Sequence, residues 1–135
     1  MKSSTVIKLD KVSKEYVLGD GSIFTALKDV SLEIRNGDYV SLIGPSGSGK
    51  STLMHVIGLL DKPTTGKVEI DDRDISTLND DQTSTLRSEF VGFVFQQFNL
   101  INKLTIKENI LLPINYARKK FDFDPGERAE YPYVS

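Results

Sequence analysis

The chain has no cysteine, which excludes disulfide staples and thiolate metal centres and fits the reducing cytoplasm. No apolar run approaches the ~20 residues needed to cross a bilayer. The N-terminus, Met1-Lys2-Ser3-Ser4-Thr5, leads into alternating residues instead of the apolar stretch of a secretory leader. There is no basic block, and a net charge of −2 exerts no general pull on nucleic acid. Histidine occurs once, as His55, and reads as a polar-face or packing residue, not a ligand or base. Internal repeats and low-complexity linkers are also missing. What remains is a chain of 135 residues, 39% hydrophobic and 27% charged, the profile of one soluble globular domain.

Thr5 to Leu9 is rich in β-branched residues and reads as a strand, and Val30, Leu32 and Ile34 alternate with polar neighbours as in a half-buried one. Asn36-Gly37-Asp38 supplies a turn before the short apolar run Tyr39 to Ile43, which predicts a buried strand. Lys50 to Leu60 carries Leu53, Ile57 and Leu60 at helical spacing, and Asp61 to Gly66 breaks that helix. Val68 and Ile70 flank Glu69 in another strand, with acidic turn residues Asp71 and Asp72 after it. Asp80 to Phe90 predicts a short helix, and Phe90 to Phe95 a strand. Thr105 and Glu108 have capping-box spacing and open a helix to about Ala117, which Pro113 should kink or end. Phe121 to Ser135 shows no period and reads as loop.

One motif carries chemistry. Gly44-Pro45-Ser46-Gly47-Ser48-Gly49-Lys50-Ser51, followed by Thr52, fits G-x-x-x-x-G-K-[ST], the Walker A phosphate loop. Its glycines let successive N–H groups turn inward toward phosphate oxygens. A helix beginning near Lys50 adds partial positive charge there. Lys50 can reach the β- and γ-phosphates, and the Ser51 hydroxyl can ligand Mg2+. A chance Gly/Ser-rich match would lack the strand before it and the amphipathic helix after it.

Three nucleotide-using classes compete. A GTPase should read guanine with Asn-Lys-x-Asp, whereas Asn102-Lys103-Leu104-Thr105 has threonine where the aspartate belongs, so this reads as an exposed loop. A small-molecule kinase leaves no acceptor or lid signature. The third class is a transport ATPase. Asp10 to Tyr16, Ala26 to Leu32, the phosphate loop, Gly58 to Gly66, Val91 to Leu100 and Leu104 to Ile110 together resemble the start of an ABC transporter ATP-binding domain. They are most similar to its lipoprotein-release and macrolide-export subgroup. The likeness runs to about Asn115.

The resemblance implies an α/β fold: a partial P-loop NTPase core with an antiparallel β subdomain, residues 1–120 forming the N-terminal part of the domain and 121–135 an irregular tail. It implies ATP and Mg2+ as cofactors and assigns Tyr16 to stack on adenine. Gln96, in preference to Gln97, would end a core strand and touch Mg2+ and the attacking water, so Lys50 and Gln96 are the candidate catalytic groups. Phe98 to Leu100 would face a membrane-spanning permease. The expected assembly is a homodimer, peripheral to the inner face of the cell membrane through the permease, with no membrane insertion and no nucleic acid.

The family's further motifs have no counterpart. No apolar strand ends in the Asp-Glu pair, no Gly-Gly occurs, and the downstream histidine is missing. The expectation is a domain cut before its signature motif. It would bind MgATP for an exporter or, alternatively, be a non-catalytic nucleotide-binding fragment. The apolar runs at Tyr39–Ile43 and Phe90–Phe95 would then lack neighbours and favour aggregation.

Overall fold

The computed structural model describes residues 5–97, 99–116 and 124–130. The chain divides into two units, Met1–Val91 and Gly92–Ser135. In the first unit, strands β1 (Thr5–Val17), β2 (Ile23–Arg35), β3 (Thr65–Ile70) and β4 (Arg73–Asp74) form one sheet in the order β2-β1-β3-β4, and all three pairings are antiparallel. Helix α1 (Lys50–Ile57) lies between β2 and β3 in the chain, and α2 (Asp80–Phe90) follows a short 3-10 turn at Ile75–Thr77.

β1 and β2 form a long hairpin, but simple alternation does not describe it. Leu9 and Val12 are both buried although three residues apart, a spacing that puts side chains on opposite faces of a regular strand. The register shifts between them, and Lys11 sits at φ 47°. This bulge inserts one residue and returns Val12 to the core. Asp29 on β2 has φ 49°, and the two irregularities are laced together. The Lys11 N–H donates to Ser31 Oγ at 3.0 Å, and the Asp29 N–H donates to Ser13 Oγ at 3.0 Å. Gly66 of β3 crosses directly over the bulge: a Cβ there would lie 2.3 Å from the Lys11 carbonyl oxygen.

The core joins Leu9, Val12 and Leu27 of the hairpin to Leu53 and Val56 of α1, with Leu59, Val68, Ile70, Ile75 and Leu86 completing it. Each fully buried aliphatic side chain contributes about 1.5–3 kcal/mol relative to exposure. Of the expected Leu53, Ile57 and Leu60, Leu53 is buried, Ile57 packs partly against the core beside the fully buried Val56, and only Leu60 departs. The helix stops at Gly58, and Leu59, at φ 58°, turns inward in a Schellman ending. The Leu60 N–H donates to His55 O at 2.9 Å and the Leu59 N–H to Val56 O at 3.2 Å. Leu60 is thereby turned outward.

α2 matches its expected span and opens on a capping box between Asn79 and Gln82. Asp71 and Asp72, both at positive φ, make the tight turn between β3 and β4, as their position after Ile70 suggested.

Neither expected apolar strand forms. Residues 39–43 have no regular structure, with Tyr39 99% and Ile43 92% exposed. Phe90 ends α2, and residues 91–95 are likewise irregular. A buried strand of this type needs partners on both edges to satisfy its backbone, and the described sheet contains no strand paired to either run.

In the second unit, α3 (Ile106–Leu111) starts at the expected box between Thr105 and Glu108. It tightens into a 3-10 segment at Leu112–Tyr116, where Pro113 cannot supply an α-helical N–H. Ala117, the expected end, lies outside the described residues. Asn109 pins the preceding loop: its Oδ1 accepts from the Ile101 N–H at 2.8 Å, and its Nδ2 donates to Ile101, Leu104 and Thr105 carbonyls. The expected irregular tail contains a helix instead, α4 (Pro125–Glu130). Asp124 at its start accepts from the Gly126 N–H at 2.7 Å, and α4 packs against α3.

Candidate functional site

The phosphate loop lies between the exposed run at 39–43 and α1. Gly47 and Gly49 have φ 78° and 85°, so the chain turns through conformations that side chains disfavour. At Gly49 a second constraint applies. An added Cβ would sit 2.4 Å from the Ala26 carbonyl oxygen and 3.1 Å from Leu27 Cδ2, so β2 presses against the loop where the helix begins. A Cβ on Gly44 would meet Ser48 Oγ at 2.8 Å. The Ser48 N–H closes a turn onto Pro45 O at 3.3 Å.

The loop concentrates donors. Gly49 caps α1 without a side chain, and the first turn of the helix carries no acid. By contrast, α2 and α3 are each closed by a side-chain capping box. The N–H groups of the α1 first turn and the dipole behind them favour an anion. Lys50 folds back over the loop, its ammonium donating to Gly44 O at 2.8 Å, Pro45 O at 2.6 Å and Ser48 Oγ at 3.2 Å. The cation therefore bridges the start of the loop, at Gly44 and Pro45, to Ser48. Ser51 is exposed and Thr52 partly so. These residues suit a phosphate group: glycines at the positive-φ turns, no acid in the loop, and a hydroxyl oxygen at Ser51 for a hard cation. Gly44 to Ser48 are exposed, so the loop is a surface cradle.

Tyr16 is half-buried near the end of β1, opposite Phe24. Phe24 is two residues before Ala26, where β2 touches Gly49. The Tyr16 hydroxyl donates to Asp61 Oδ2 at 3.0 Å, and the Lys14 ammonium stands 5.1 Å from its ring centroid. That ammonium also meets Asp61 Oδ1 at 2.6 Å and Lys62 O at 2.7 Å. No local sequence signal links Lys14 and Tyr16 to Asp61, 45 or more positions away; only the fold joins them.

Burial pushes the Asp61 carboxyl up. The hydrogen bonds from Lys14 and Tyr16, the Lys14 charge and the Lys62 N–H outweigh it and hold the group below the ordinary aspartate range. The native state thus binds the proton more weakly than the unfolded chain. The stability gained is complete above about pH 4, the ordinary aspartate value, and is lost as pH falls through the lowered native value. Thermal melts should show Asp61→Asn less stable than wild type at neutral pH. The gap should close as both are acidified below about pH 4.

His55 is exposed on α1, in keeping with a polar-face residue. Gln96 belongs to the second unit, where it is exposed in an irregular segment, not at the end of a core strand as expected. Phe93 and Phe95 stack beside it in sequence, with centroids 5.7 Å apart. Phe98 lies outside the described residues.

The ABC transporter family model matches residues 27–131. An uncharacterized ABC transporter ATP-binding protein of Methanocaldococcus jannaschii, MJ0796, is 52% identical over 81% of this chain and 46% of its own length. YknY, an uncharacterized ABC transporter ATP-binding protein of Bacillus subtilis, is 44% identical over 92% of this chain and 54% of its own. The macrolide export ATP-binding/permease protein MacB of Bdellovibrio bacteriovorus is 41% identical over 90% of this chain and 19% of its own, which agrees with the expected subgroup. A dimeric structure of MJ0796, in a post-hydrolysis state bound to ADP and Pi, superposes with a TM-score of 0.80 at 47% identity. It covers 92% of this chain and 54% of that one. The chain thus spans about half the length of MJ0796 and YknY. The sequence match, the superposition and the glycine-built loop agree: the chain belongs to the ABC transporter family, as part of its ATP-binding domain.

Proposed function

We propose that Gly44 to Thr52 bind the triphosphate of MgATP and that this chain is the ATP-binding part of an ABC-type exporter driving transport through a partner permease. The observation that carries this reading is the loop itself. Gly49 is held in left-handed geometry against Ala26, at the start of an acid-free helix, with the Lys50 ammonium on the Gly44 and Pro45 carbonyls. Ser51 would hold Mg2+, which when bound neutralises charge on the β- and γ-phosphates. Gln96 keeps the metal and water role that the resemblance assigns. Tyr16 would carry the adenine, supported by its place two residues along the hairpin from the contact with the loop.

The partner and location rest on the relatives. MacB is named as an ATP-binding/permease protein, and the MJ0796 structure is dimeric. A homodimer at the inner membrane face, attached through a permease, is the corresponding arrangement here. Among the described residues no helix is long and apolar enough to cross a membrane.

Calorimetric titration with MgATP tests the core of the proposal. Lys50→Ala removes a charged donor worth about 1.5–3 kcal/mol, so affinity should fall roughly 10- to 100-fold. Unchanged affinity would rule out the loop as the phosphate site. A second reading, nucleotide binding without turnover, draws on the irregular backbone at 91–95, which leaves Gln96 without a strand to fix its amide. Phosphate release by these 135 residues that disappears in Lys50→Ala would refute it.

A further inference from the structure

Lys14 and Asp61 form an ion-pair clamp that joins β1 to the segment after α1. Lys14 is mostly buried and Asp61 partly so, at 12% and 31% side-chain exposure, so water screens the pair less than it does a surface ion pair. Asp61 uses both oxygens: Oδ1 takes the Lys14 ammonium and the Lys62 N–H, and Oδ2 takes the Tyr16 hydroxyl. Its own N–H donates to His55 O at 3.2 Å, which ties the carboxylate to the C-terminal end of the helix whose N-terminus holds the loop. The segment after Asp61 is sewn along β1. The Thr64 N–H donates to Ser13 O at 2.9 Å, and the Glu15 N–H donates to Thr64 Oγ1 at 2.9 Å. Tyr16 is thereby held by its hydroxyl edge, with the Lys14 cation near the ring.

We infer that Asp61 and Lys14 are positioning residues for the base, fixing the Tyr16 ring so that the purine of a bound nucleotide stacks on a surface already oriented. A ring free to rotate would have to be ordered when the nucleotide binds, and that cost would appear as lost affinity. The inference rests on the proposed nucleotide reading and on Tyr16 as the base platform. It adds that the platform is set from the far end of α1, so one helix governs both ends of the ligand.

The test compares two ligands by calorimetry on the 135-residue chain: MgATP, and magnesium tripolyphosphate, which has the phosphates without the base. Asp61→Ala should weaken MgATP by about three- to tenfold, the effect of losing one orienting hydrogen bond, and leave tripolyphosphate unchanged. Tyr16→Phe, which removes only the hydroxyl, should give a similar loss and guards against a folding defect in the alanine variant. Asp61→Asn keeps an acceptor for that hydroxyl and should recover part of the affinity. In a Tyr16→Ala background, Asp61→Ala should add nothing. Equal weakening of both ligands by Asp61→Ala, or losses that multiply in the double variant, would overturn the clamp. So would a Tyr16→Phe protein with wild-type MgATP affinity. Failure of the underlying readings looks different: wild type that ignores tripolyphosphate removes the phosphate site, and Tyr16→Ala with unchanged MgATP affinity removes the base platform and the clamp with it.

Discussion

Gly49→Ala should bind MgATP at least about 100-fold more weakly than wild type, a larger loss than that from truncating Lys50. Two penalties coincide at this position. The first is conformational: φ 85° costs an L-residue roughly 1–2 kcal/mol. The second is steric: the new methyl would lie 2.4 Å from the Ala26 carbonyl oxygen, an atom fixed in the β1–β2 hairpin. Side chains can rotate away from such a clash, but a strand carbonyl cannot, so the loop must move. Overpacking of this kind typically costs about 1–3 kcal/mol. Moving the loop also turns the N–H groups that begin α1 away from a common point, so the lost affinity exceeds what any one hydrogen bond supplies. Calorimetry would measure it, and circular dichroism would show whether the fold persists. Tight MgATP binding by a folded Gly49→Ala protein would mean that the cradle is not where the phosphates sit.

Gly66→Ala is the second large effect, expected in stability and not at the site. Its φ is 86°, and an added Cβ would lie 2.3 Å from Lys11 O and 2.6 Å from Val12 Cα. The three nearest atoms are all backbone, and they belong to the bulge that directs Val12 into the core. Strain and overpacking together suggest about 2–5 kcal/mol, a large share of the 5–15 kcal/mol that stabilises a typical domain. Urea melts should show a much lower midpoint with a similar slope, or no folded baseline. A midpoint within error of wild type would show that β1 and β3 can separate at Gly66 without penalty.

These two glycines show where the sequence was legible. The phosphate loop stood out because its chemistry is local: eight adjacent residues make the turn, the donors and the cation. Helix α2 and the box at Thr105 were legible for the same reason, since such signals are written within a few adjacent residues. The special status of Gly66 was not, because the atoms it touches are Lys11 and Val12. The Lys14–Asp61 pair was hidden by the same kind of separation. The runs Tyr39–Ile43 and Phe90–Phe95 exposed a different limit. Their apolar character records a preference for burial, but a strand also needs partner edges, and composition cannot say whether they are present. With Tyr39, Ile43 and Val94 almost fully exposed, the chain presents apolar segments of the kind that associate. At Leu59 the periodicity misled for a geometric reason: a left-handed residue shifted the buried face by one position after the helix had ended.

The bulge at Lys11 has a bearing on how this hairpin can change over generations. Lys11 is the extra residue that brings Val12 back to the core side, and the glycine at position 66 is small because that extra residue stands beneath it. The two positions are one heritable unit. Deleting Lys11 alone would restore a plain alternation but strip the Ser31 and Gly66 contacts of their partner, while enlarging residue 66 alone would collide with the bulge. Neither first step is neutral, so a lineage that carries one is held to the other, and in related sequences the pair should persist or disappear together.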